Sequence, residues 1–309
     1  CSHMIARLQH SKVYITTYSK ALFVRGEFHS EDIAGEELHM ACSTGPFTAG
    51  SMDGISPRDL SILPMQMFIM LAQLLNTIEK GADWPKGMLH GKANFLHKDP
   101  DNPSNDPLDT RALLILNTVY RCWGKVRLRA LAPWIEEWKL DAIFAGVPGQ
   151  GAQDAWYNMA MTFELNVLLG KIITGGAVDI RKAFDQISRV LAAIILKLGG
   201  MPSRIVDTYM RFHDNLRVYN SLAGGYGVGY FKVCSIPQGC PFSMLIMAML
   251  MRPLVILTEV PGKIIMRVLA DDAILVGIGQ QCIVLFTQKF QILMQYILDM
   301  GSLISTGKS

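Results

Sequence analysis

Apolar residues along the chain fall into short runs, alternating or helically spaced, separated by turns rich in glycine and proline. Residues 264–269 and 273–276 read as the two strands of a hairpin, with Ala270, Asp271 and Asp272 between the runs. Residues 177–180 form a further short apolar strand with one acid, Asp179, inside it. Strands are also expected over 92–97, 217–222 and 230–234, the last two joined across Gly224-Gly225-Tyr226-Gly227. Helical spacing predicts helices over 57–63, 65–78, 117–131, 152–170, 187–198, 203–215 and 281–300. The most apolar run, 244–260, is interrupted by Arg252-Pro253 and contains Thr258 and Glu259. It is too short and broken for a membrane span and reads as a buried core helix over 243–258. Residues 1–45 read as a lead-in without a usable pattern, and 301–309 as an extended tail.

Composition adds limits. The 309 residues are 50% hydrophobic and 18% charged, which builds a real core and excludes a disordered chain. The net charge of +3 makes no global case for nucleic acid. A local one exists: Arg111, Arg121, Lys125, Arg127 and Arg129 crowd one segment, with Lys92 and Lys98 just before it. Such a run is also what a solvated helix face looks like. The six cysteines include no C-x-x-C pair and no histidine at zinc spacing, so free thiols in a reducing compartment are expected. No secretory signal is read, so the expected location is intracellular, nucleus or cytoplasm, with no membrane partner. Gly307-Lys308-Ser309 resembles the end of a P-loop, but Ser302 stands where its first glycine belongs.

The chemistry starts from the acids. By itself the Asp271-Asp272 pair suits a solvated turn, because aspartate is a common turn residue. Two like charges side by side nevertheless repel unless a cation neutralises them. An acid inside an apolar strand is costly unless it binds something, which draws Asp179 into the same picture. Acids on neighbouring β elements are what two-metal phosphoryl transfer uses, with hard cations held by rigid carboxylates. Lys98 and Arg111 flank a polar loop and suit a polyphosphate, lysine as a point charge and arginine as a fork.

Three segments then carry a family resemblance. Asp179-Ile180-Arg181-Lys182-Ala183-Phe184-Asp185 resembles the D-x-x-K-A-F-D motif of reverse transcriptases of non-LTR (LINE-type) retrotransposons. Ile236-Pro237-Gln238-Gly239-Cys240-Pro241-Phe242-Ser243 is similar to their P-Q-G-C-P-L-S loop, and Leu269-Ala270-Asp271-Asp272 to their [YF]-A-D-D hairpin. Asp53-Gly54-Ile55, Arg111-Ala112-Leu113 and the stretch from Gly301 to Lys308 resemble weaker family motifs. Group II intron reverse transcriptases share much of the pattern. The chain departs from it at Leu269, where an aromatic is usual, at Ala112, where proline follows the arginine, at Val147-Pro148-Gly149, and at Ser305, where asparagine is usual.

The resemblance implies an α+β fold, a right-hand polymerase with an antiparallel palm sheet packed against helices. It implies a lead-in over 1–45, fingers over 46–170 and palm over 171–309, stopping before the thumb. The implied activity is RNA-directed DNA polymerisation with Mg²⁺ as cofactor, two ions, or Mn²⁺ in its place. The implied partners are an RNA template, a DNA primer and dNTPs. Asp179, Ile180 and Asp271 would hold metal, with Asp272 the neighbouring acid and Lys308 the proton donor to pyrophosphate. Lys98 and Arg111 would grip the triphosphate, Phe184 would exclude a ribose 2′-hydroxyl, and Gln238 and Gly239 would line the pocket of the incoming base. Two other classes stay open: an RNA-directed RNA polymerase, and a maturase-like RNA-binding module without catalysis.

Overall fold

The computed structural model describes residues 2–44, 48–99, 101, 109–222 and 224–305. Its fold is mixed α+β with mainly antiparallel sheets. The chain forms two compact units, each discontinuous in sequence. One comprises Cys1–Gly26, Ala132–Gly200 and Met244–Ser309, and the other Glu27–Leu131 and Met201–Ser243. Among the described residues the strands are β1 (His90–His97), β2 (Thr110–Ile115), β3 (Ile173–Arg181), β4 (Arg217–Leu222), β5 (Gly225–Tyr226), β6 (Tyr230–Phe231), β7 (Ile264–Leu269), β8 (Asp272–Ile278) and β9 (Leu303–Ile304).

The first unit is built on the antiparallel sheet β7-β8-β3-β9. Strand β7 alternates as its sequence requires, with Ile264, Met266 and Val268 buried and Ile265, Arg267 and Leu269 half-buried. Val178 of β3, Ala273 of β8 and Val268 of β7 share one row of the buried face. In this unit the helix Ser243–Thr258 buries an almost continuous run, Leu245 to Met251, and its Leu250 carbonyl accepts from the Tyr296 hydroxyl. The helix Cys282–Asp299 buries Leu293, Tyr296 and Ile297. Tyr14 and Tyr18 from the helix Ser2–Tyr18 pack against Tyr296, and Tyr18 donates to Asp299 at 2.7 Å. The expected lead-in is thus helical over its first third, a feature its weak periodicity concealed.

Strand β3 begins earlier than its apolar core implies. Gly175 and Gly176 have low strand propensity, yet they pair with Val276 and Leu275 of β8, and Thr174 before them pairs with Gly277. A β-carbon at Gly175 would stand 3.1 Å from the carbonyl oxygen of Leu275, so the pairing leaves little room for a side chain there. Tertiary pairing overrides local preference at this end of the strand.

The second unit holds a sheet in the order β2-β1-β4-β5, with β6 also on β4. Strand β2 has no clear signal in the sequence, because residues 110–115 lie between a polar loop and a helix and alternate weakly. It pairs antiparallel with β1, placing Arg111 opposite Leu96. Strands β1 and β4 run parallel. One face of this sheet, with Gly91, Ala93, Leu114 and Val218, is buried. The aromatic core of the unit joins Trp84, Tyr120, Trp123, Phe212 and Phe242, with Tyr120 and Phe212 stacked at 3.7 Å.

The basic run 121–129 is not one solvated face. On the helix Thr118–Ala130 Arg127 is buried, its guanidinium bonded to Glu79 at 2.6 and 2.5 Å. Trp123 donates to the same carboxylate at 2.7 Å. Helical spacing puts Trp123 and Arg127 on one side of the helix, and Glu79 from the helix Met65–Glu79 neutralises the cation there. Among the described residues no helix is long and apolar enough to cross a membrane.

A buried pair of this kind is costly to half-remove. Glu79→Ala is expected to destabilise the second unit by about 3–5 kcal/mol, since it strands the Arg127 charge. Replacing both residues by methionine is expected to cost far less. Urea midpoints of the two variants, at unchanged slope, check this.

Candidate functional site

The acidic site lies in the first unit, on the half-buried face of its sheet. Asp179 and Asp272 occupy facing register positions of β3 and β8, and Leu269 completes the row on β7. The Asp179 carbonyl accepts from the Ser305 amide at 2.9 Å, so its backbone is turned to the β9 side. On the β8 side the pair is therefore of the type without ladder hydrogen bonds, in which Cα atoms lie about 4.5 Å apart. Like charges at such positions repel, so the local sheet geometry favours a counter-cation.

The β3–β8 register ends at this pair, and alternation along the antiparallel strand turns the main-chain carbonyl of Ile180, the next residue, towards the β8 side. Its side chain is buried on the opposite face, 1% exposed. Asp271 is half-buried, Asp179 half-buried and Asp272 exposed. Burial of Asp179 is thus milder than an acid within an apolar strand suggests.

The hairpin turn is short. Leu269 pairs with Asp272, leaving only Ala270 and Asp271 between β7 and β8. Ala270 has φ +58°, a left-handed conformation that costs a non-glycine residue about 1–2 kcal/mol. Among the described residues only two other non-glycine positions have positive φ, Lys182 at +46° and Ser235 at +95°. Lys182 turns the chain out of β3 into the short helix Ala183–Gln186. Ser235 opens the loop that runs to Ser243. Each strained position sits within or beside one of the three segments singled out from the sequence. Strain of this kind persists where the surroundings over-determine it, commonly at functional sites.

Phe184 lies on that short helix and is 7% exposed. Gln186 of the same turn fastens the tail: its amide donates to the Arg181 carbonyl at 2.7 Å and its side-chain oxygen accepts from the Leu303 amide at 2.8 Å. Beside the acids a cleft of about 280 Å³ opens on the same sheet face, lined by Trp156, Met159, Arg267, Leu269, Asp179 and Asp272 among others. Met159 packs on Val276 and Ile278 lower on this face, so the helix Ala152–Leu168 covers one end of the sheet and leaves the acidic row open. Arg267 is held by Glu259 at 3.2 Å and by Asn158 at 2.9 Å. Phe184 is not among the residues lining this cleft. Trp156, 70% exposed, and Arg267 carry no signal in the sequence, because nothing local marks a residue that a distant strand will face.

No model of a known protein family matches this chain, and no curated protein matches it significantly.

The donor set fits a hard divalent cation in kind. It offers two carboxylates on facing strands, a third at the adjoining turn, and a main-chain carbonyl at Ile180 directed to that side. Among the described residues no three Asp, Glu, His or Cys side chains stand together as a ready metal cage.

In the second unit, Lys98 and Arg111 are both exposed. Lys98 donates its amide to the Asp109 carbonyl at 2.9 Å, and Arg111 stands opposite Leu96, which places both cations on one face of the β1–β2 hairpin. The registers add Lys92, Arg217 and Tyr219 to that face, together with Tyr226 and Phe231, which are 53% and 60% exposed. Arg217 lies over the Tyr219 ring at 5.8 Å. Cations interleaved with aromatic rings suit phosphates and unstacked bases. The sequence shows the cations but not their common face.

Gln238 and Gly239 are exposed on the 235–243 loop of this unit. The loop is tied at many points. The Leu114 amide donates to the Gln238 carbonyl at 2.8 Å, and the Ser243 hydroxyl to the Pro237 carbonyl at 2.7 Å. Cys240, whose thiol is pushed up to about 11 by burial, lies 3.1 Å from the Tyr120 hydroxyl. Lys308 lies outside the described residues.

Gly239 has φ +107°, and a β-carbon there would stand 2.2 Å from the Leu114 carbonyl oxygen. Gly239→Ala is therefore expected to cost at least about 1–3 kcal/mol and to displace the loop. Thermal melting, with limited proteolysis between Tyr230 and Ser243 as the local readout, checks both effects.

Proposed function

We propose that this chain is a reverse-transcriptase domain: an RNA-directed DNA polymerase that transfers dNTPs to a primer 3′-hydroxyl by two-metal chemistry. The observation that carries the reading is the pairing of Asp179 with Asp272 across β3 and β8, with Asp271 at the strained turn next to it. The resemblance of three ordered segments to retroelement reverse transcriptases supports it, and so does the strain found at each of those segments.

In this reading Asp179, Asp271 and the Ile180 carbonyl hold Mg²⁺, and Asp272 adds negative charge beside them. Bound there, the cations would supply activation of the attacking oxygen and neutralisation of charge on the leaving group. The chain's own part is positioning. Strands hold Asp179 and Asp272 and a two-residue turn holds Asp271, so little reorganisation is needed as charge develops. Lys98 and Arg111 take the triphosphate through charge-assisted hydrogen bonds. Gln238 and Gly239 offer a fixed loop to the incoming base. Phe184 discriminates against a 2′-hydroxyl by bulk. Lys92, Arg217 and the rings of Tyr219, Tyr226 and Phe231 supply phosphate and stacking contacts to the template. An RNA-binding module without catalysis shares this last surface, and the same experiment separates the two.

That experiment is primer extension on an RNA template with dNTPs and Mg²⁺ or Mn²⁺, run beside RNA binding. Asp271→Asn is expected to lower extension roughly a hundredfold or more while RNA binding is kept, since several kcal/mol of charge stabilisation are lost. Phe184→Ala is expected to admit rNTPs. Equal extension by the parent and Asp271→Asn would overturn the metal role of that acid. RNA binding without extension by the parent would leave the non-catalytic module.

A further inference from the structure

The second unit contains a pair of cysteines that the polymerase reading does not use. Cys42, on the helix Gly35–Ser43, and Cys122, on the helix Thr118–Ala130, bring their Sγ atoms to 3.2 Å. Neither is in a disulfide, and both are buried, 6% and 1% exposed. Eighty residues of chain separate them. The helices are held side by side independently of the sulfurs. Arg129 bonds the Thr44 hydroxyl at 3.1 Å, and the helix that bears Cys122 is anchored by the buried Arg127–Glu79 pair.

Cations flank the pair: Lys125 favours ionisation of both thiols, and Arg121 that of Cys122. Two sulfurs in contact suit thiol oxidation, in which one attacks and the other resolves. Cys240, by contrast, is turned to the Tyr120 hydroxyl.

We propose that Cys42 and Cys122 form a reversible disulfide, a redox latch between the two helices, with a hydroperoxide as oxidant. Cys122 attacks the peroxide oxygen, breaks the O–O bond and becomes a sulfenic acid, while the thiol proton leaves with the alcohol or water. Cys42 then attacks that sulfur and forms the S–S bond, and its proton leaves with the hydroxyl as a second water. Two electrons pass from the pair to the peroxide. The sulfurs must close from 3.2 Å to bonding distance, a shift of about 1 Å. In a reducing compartment the bond forms transiently and is reversed by thiols.

The test treats the full chain with hydrogen peroxide, alkylates the remaining thiols and maps the peptides by mass spectrometry. The expected result is one cross-link joining the Cys42 and Cys122 peptides, reversed by dithiothreitol, with Tm raised by roughly 5 °C or more because a long loop is closed. In Cys42→Ser the cross-link disappears and Cys122 accumulates oxygen adducts. Both thiols remaining alkylatable in the parent, a bond to any other cysteine, or oxygen adducts on Cys122 without a cross-link would each overturn the latch.

Discussion

Hydrophobic packing on one face of the first unit's sheet brings two carboxylates together on the other. Asp179 and Asp272 occupy one row of an antiparallel sheet, at the spacing where like charges destabilise the pairing. The sheet survives because its other face is apolar. Val178, Ala273 and Val268 lie one residue away from the acidic row, buried, and hold the register by hydrophobic packing. A slip of one residue would bury the acids and expose this row. The core therefore forces the charges together, and any cation that binds them relieves the repulsion.

The backbone follows the same logic. A two-residue turn with a positive φ at Ala270 sets Asp271 next to the pair. The turn after β3 uses another positive φ at Lys182 to swing the chain away from Asp179 within three residues, and Gln186 then pins both that turn and β9. A helix or strand that simply continued would carry Phe184 elsewhere. The packing of the helix Cys282–Asp299 against the sheet offsets the local cost.

The second unit solves a different problem. One face of its sheet is sealed by Ala93, Leu114 and Val218, and the other gathers cations and aromatic rings from strands far apart in sequence. Charge that looks like a single basic tract is divided between two roles. Arg111 and Lys98 stay exposed on the sheet, whereas Arg127 is neutralised inside the unit by Glu79. Counting arginines along a segment does not separate these roles, because burial depends on which acid packs against the helix.

The sequence by itself determined the hairpin strands over 264–269 and 273–276, the helices over 203–215 and 243–258, and the acids that draw attention. These follow from local periodicity and from the cost of placing charge among apolar residues, both of which act within a few residues. It did not determine the strand Thr110–Ile115, the helices Ser2–Tyr18 and Ala132–Trp138, or the glycine-led start of β3. Those elements have weak intrinsic preference and exist because a partner strand or helix completes them. Tertiary structure alone decided that Asp179 faces Asp272 rather than a neighbour two residues away, that Trp156 and Arg267 border the acids, and that Cys42 meets Cys122. Each is a contact across many residues, fixed by register and packing that no local pattern encodes.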